Sequence, residues 1–144
     1  MSEIQFLTFA DIVEIHEYQI ENFGGASGLR DIELLKSAIG MPESTFGGAF
    51  LHPTIYEMAA AYLYHLVENH PFVDGNKRVG AMAALIFLDI NNIDFDAPEE
   101  LFTEMVLKVA SGKMLKAEIT LFLSFGAGTA LPPIQPGGIP HCCY

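Results

Sequence analysis

An all-α fold, a compact bundle of about six helices, is what this 144-residue sequence predicts. Three observations carry the prediction. Apolar residues recur at helical spacing through most of the chain. Residues that cap or stop helices stand at the ends of those stretches. A hydrophobic content of 51% is ample for one core.

Each element follows from local chemistry. In TFADIVEIHEYQIENFGG, Thr8 is placed to cap a first helix, with Asp11 completing a capping box and Gly24 and Gly25 ending it. Asp31 caps a second helix that presents Ile32, Leu35 and Ile39 and stops at Gly40. MPESTFGGAFLH, with its Pro, Ser and Gly around Phe46 and Phe50, suits a loop or short hairpin flap. A third helix is expected over 53–69, with Pro53 near its first turn. Apolar nearly all round, the stretch 76–90 should be the buried central helix. Further helices are expected over 98–111 and 115–125. From residue 126 the chain holds four of the eight prolines and no charge, an irregular tail following a domain at 1–125. The PIQP in that tail has the form of a polyproline ligand.

The same composition limits function. A net charge of −11 leaves no basic face for DNA or RNA. No apolar run is long enough to span a bilayer, and the first residues lack the pattern of a secretory signal, which points to the cytoplasm. Cys142 and Cys143 are adjacent, so they read as reduced thiols; with His141 they form at most a small metal-ligand set.

The polar junction HPFVDGNKR at 70–78 stands out against its apolar flanks. Pro71 disfavours helix at His70, and Gly75 is free to adopt positive φ. A helix starting at Asn76 would offer unpaired N–H groups and its dipole, with Lys77 and Arg78 in its first turn. That is an anion hole suited to phosphate, and Arg30 is a third cation that could converge on it. Asp74 beside it is placed for Mg²⁺, and His70 has the basicity to take a hydroxyl proton. Taken singly, each residue reads as capping or turn chemistry; Phe72 reads as a core anchor. A zinc set of His65, His70 and Asp74 is the alternative these residues allow, without H-E-x-x-H spacing. His16 and His52 have no partner visible in the sequence.

The junction resembles the Fic motif, H-P-F-x-[DE]-G-N-[GK]-R, and the layout over residues 6–125 resembles the death-on-curing (Doc) toxins of that superfamily. NFGGASGLRDIELLKSAI and RVGAMAALIFLDINN belong to the likeness. The resemblance implies His70 as general base, Asp74 as Mg²⁺ ligand, Gly75 and Asn76 as the phosphate-binding turn and Arg78 as a phosphate contact. Lys77 stands where AMP-transferring relatives have Gly, which implies inverted ATP binding and phosphoryl transfer to a threonine of elongation factor Tu, halting translation. The flap would dock the target. No inhibitory [ST]-x-x-x-E-[GN] segment occurs, which implies restraint in trans by an antitoxin of the Phd type. The chain departs from relatives at Val79 and Met82.

Overall fold

The computed structural model describes residues 3–126. It comprises α1 (Phe9–Phe23), α2 (Ile32–Gly40), a hairpin of β1 (Thr45–Phe46) and β2 (Ala49–Phe50), α3 (Ile55–Asn69), α4 (Asn76–Ile90), α5 (Glu99–Ala110) and α6 (Lys116–Gly126). The readings for the tail beyond Gly126, with its PIQP, His141, Cys142 and Cys143, lie outside the described residues.

Helix starts follow their caps. Thr8 and Asp11 form the expected capping box at α1, and Asp31 accepts the N–H groups of Glu33 and Leu34 at α2. The third helix begins later than expected. Thr54, reciprocally bonded with Glu57, is its N-cap, so Pro53 lies before the helix and not in its first turn. Gly47 and Gly48 turn the hairpin with positive φ of 61° and 84°, pairing Thr45 with Phe50 and Phe46 with Ala49. Phe46 is 79% exposed, whereas the Phe50 ring lies 5.9 Å from that of Phe6. Of the two flap aromatics, only Phe50 leans on the body.

The core sits between α3 and α4, with α2, α5 and α6 packed on α3 and α1 packed on α4. Ala59, Ala60, Ala81, Ala83 and Ala84 are fully buried, and such short side chains let helix backbones approach closely. Tyr62 and Phe87 fill the space beside them. This pairing matters for function because the C-terminal end of α3 and the N-terminal end of α4 meet at residues 70–75. Among the described residues no helix is long and apolar enough to cross a membrane.

A second polar cluster ties the hairpin to the body. Lys116 Nζ, in the first turn of α6, lies 3.1 Å from His52 Nε2 and 3.0 Å from His65 Nε2. A lysine there opposes the helix dipole, and burial lowers its pKa. The ammonium can only donate, so both imidazoles must be neutral at Nε2. Burial and then Lys116 push His52 down from its ordinary value and hold His65 at about 4. A folded pKa below the unfolded 6.5 means that protons favour the unfolded chain. Above pH 6.5 these groups contribute no pH dependence; between 6.5 and about 4 they make stability fall as pH falls. Thermal melts at pH 7.5 and pH 5 should therefore show a drop of several degrees that His65→Gln visibly reduces. An equal drop in the variant would remove this cluster as the cause.

Candidate active site

His70 follows α3 in left-handed geometry, φ 49° and ψ 52°, a conformation costing a non-glycine residue about 1–2 kcal/mol. Pro71 closes the right-handed alternative. Its ring is fixed too: Nδ1 lies 2.6 Å from the Val67 carbonyl. A carbonyl only accepts, so Nδ1 carries a proton, and in the neutral ring the lone pair is on Nε2. The residue is exposed, and its Nε2 has no hydrogen-bond partner among the described residues.

A strap formed by residues 24–31 holds the junction from outside. Arg30 N–H and Asp31 N–H both donate to the Pro71 carbonyl, at 2.7 and 3.0 Å, and Val73 N–H donates to Gly28. Leu29 and Phe72 pair as an antiparallel bridge. The Arg30 guanidinium donates through Nε to the His70 carbonyl at 2.6 Å and through Nη2 to that of Asn69 at 2.9 Å. Arg30 is thus bound to helix-end carbonyls and does not join the cations of the anion hole.

From inside, His16 on α1 supports the same loop. Its ring is 3% exposed, stacks on Phe72 with centroids 3.9 Å apart, and donates from Nε2 to the Asp74 carbonyl at 2.8 Å. Phe72 is the expected anchor, 2% exposed. The Asn76 side chain clamps Phe72 from both directions: Oδ1 accepts Phe72 N–H and Nδ2 donates to the Phe72 carbonyl, each at 3.0 Å. What Asn76 can offer a phosphate is therefore its backbone N–H.

Asp74 points outward. Its Oδ2 accepts Ala26 N–H at 3.1 Å and its Oδ1 accepts Gly75 N–H at 2.8 Å. These two bonds, aided by Arg78, hold the carboxyl below its usual range, so it is ionised at neutral pH. Gly25 is required beside it: a Cβ there would stand 2.9 Å from Asp74 Oδ2 and 3.1 Å from Arg78 Nη2. Gly75, at φ 81°, turns the chain into α4 without any side-chain cap. The N–H groups of Asn76, Lys77 and Arg78 therefore lack helical partners. Lys77 is exposed, and Arg78 Nη1 lies 3.5 Å from the Gln19 carbonyl.

A cleft of about 460 Å³ gathers residue 70, residues 73–78 and Ala110. Every residue expected at the site, His70, Asp74, Gly75, Asn76, Lys77 and Arg78, lines it. The zinc alternative fails: His65 is turned to Lys116, and among the described residues no three His, Cys, Asp or Glu groups converge for a metal. An apolar groove of about 690 Å³ adjoins the site, walled by Phe9, Val13, Ile20, Leu29 and Ile32, with Glu17, Glu21, His16 and Phe72. His16 and the strap were not found from sequence. The signal for His16 was its place on the inward face of α1, between Ile12 and Gln19.

Comparison with known proteins agrees with this geometry. The family described as Fic/DOC matches residues 6–88. Toxin Doc of Mycolicibacterium smegmatis is 37% identical over 106 residues, covering 69% of this chain and 82% of that protein. Protein kinase doc of Escherichia phage P1 is 29% identical over 106 residues, covering 72% of this chain and 81% of its own. Matched by the family model over more than half its length and 37% identical to a Doc toxin, the chain belongs to the Fic/DOC family.

Proposed function

We propose that this chain is a Doc-like toxin that moves the γ-phosphoryl group of ATP to a hydroxyl of a translation factor, a threonine of elongation factor Tu being the substrate expected. The observation that carries the reading is the His70 ring: Nδ1–H is bound to Val67, which leaves Nε2 as the nitrogen able to act as base, at a cleft lined also by the uncapped first turn of α4. His70 Nε2 takes the proton of the acceptor hydroxyl, and its oxygen forms a bond to the γ-phosphorus as the bond to the β–γ bridging oxygen breaks. ADP leaves, and the imidazolium returns its proton to solvent. The α4 amides, Lys77 and Arg78 bind phosphate oxygens. Asp74 fits Mg²⁺: the carboxylate is ionised and exposed, and each oxygen has a lone pair beyond its single N–H bond. When bound, that ion supplies charge neutralisation to the phosphates. Lys77 favours γ-transfer, because a lysine at this place in the motif would leave less room for an α-phosphate than the glycine of AMP-transferring relatives.

The name of the phage relative, a protein kinase, supports this choice, and the name of the mycobacterial relative, Toxin Doc, supports a toxin. Its partner would be an antitoxin of the Phd type, contributing a helix to the apolar groove beside Phe72. Purified elongation factor Tu incubated with the chain should acquire label from γ-labelled ATP. Label from α-labelled ATP alone would make the chain an AMP transferase. No label from either, with ATP still bound, would make it a binding module.

A further inference from the structure

The proposed base sits on a backbone that ought not to hold its shape unaided. His70 is a non-glycine residue in left-handed geometry, and from there its Nδ1–H reaches the Val67 carbonyl. Besides Pro71, which disfavours the right-handed form, an arginine from another element holds it. Arg30 binds the carbonyls of Asn69 and His70 with its guanidinium, and its own N–H, with that of Asp31, binds the carbonyl of Pro71. Three consecutive carbonyls around the base are thus held from a single point.

That point is itself rigid. Asp31 caps α2, accepting from Glu33 and Leu34, and Asn69 Nδ2 donates back to the Leu34 carbonyl. The arginine charge also lies at the negative end of the α3 dipole. Arg30 is absent from the lining of the cleft, and both bonded nitrogens are spent on the helix end. It touches no reacting atom.

We propose that Arg30 is a positioning residue that sets the backbone geometry, and through it the ring tautomer, of His70. The proposal rests on the reading of His70 as base, but its first test does not need turnover. In the wild-type chain, ¹⁵N shifts of the His70 ring should show the proton on Nδ1. In Arg30→Met the Val67 bond is released, and the ring should move toward a mixture of both tautomers. In parallel, kcat should fall by tenfold or more, toward the roughly 100-fold loss that small misplacement of a reacting group causes, with the KM for ATP within twofold. A role confined to stabilising α3 would lower the melting temperature and leave the tautomer and the kcat of the folded enzyme unchanged.

An Arg30→Met chain that keeps the Nδ1–H signature and a kcat within twofold overturns the proposal. If that variant does not fold, Arg30→Gln, which retains one amide donor, is judged by the same two readouts. Failure of both to fold would make Arg30 a folding residue and equally overturn it. A wild-type ring with its proton on Nε2 would instead defeat the assignment of His70 as base, a different failure from that of Arg30.

Discussion

His70→Asn is expected to reduce transfer of γ-label by about 10²–10⁴-fold, the span that a positioned general base supplies. Asparagine is the informative replacement because it tolerates left-handed geometry, so the turn should survive where alanine would also strain it. The reason for a large effect is that, among the described residues lining the cleft, none is a good second base. Asp74 is held below the usual carboxylate range by Ala26 and Gly75 N–H, so it is a poorer proton acceptor than an ordinary carboxylate. His16 is buried under the loop, its Nε2 already donating to the Asp74 carbonyl. Affinity for ATP should barely change, since the groups offered to phosphate are the α4 amides, Lys77 and Arg78. Steady-state labelling and calorimetric titration of ATP separate the two quantities. Activity within tenfold of wild type would remove His70 from the chemistry.

The helices were legible because their determinants are local. A cap acts on groups three residues away, as Thr8 and Asp11 do, and a buried stripe repeats every turn. The late start of α3 shows where local reading slips: a proline can precede a cap as well as follow it, and Thr54 with Glu57 decides. The contents of the site were also legible, since His70, Asp74 and residues 75–78 are contiguous. Its support was not. Arg30 and His70 are 40 positions apart, His16 and Asp74 58, and nothing local distinguishes an arginine that binds helix-end carbonyls from one that binds phosphate. Likewise Lys116 meets His52 and His65 across 64 and 51 residues, which removed His65 from the zinc set that sequence spacing had allowed.

Phe72→Ala should be the most damaging core substitution near the site, lowering stability by about 3–5 kcal/mol. Its ring is 2% exposed and lies nearly parallel to His16, 7° between planes. Aromatic pairing adds about 0.5–1.5 kcal/mol beyond area burial. For a domain whose total stability is of order 5–15 kcal/mol, such a loss is a large fraction, and the urea midpoint should fall accordingly. The effect should not be confined to stability. Asn76 clamps the backbone of Phe72, and Leu29 pairs with it, so the ring anchors the stretch that presents Asp74 and opens α4. Removing it frees the His16 ring, and with it the hydrogen bond to the Asp74 carbonyl. Phe72→Leu should retain much of the burial while losing the aromatic pair, giving an intermediate midpoint. Hydrogen exchange then reads the coupling: amides of 72–78 should exchange faster in both variants, even where α3 remains protected. A stability loss below about 1 kcal/mol in Phe72→Ala would mean that the cavity collapses readily, and that the strap and Asn76 hold the turn without the ring.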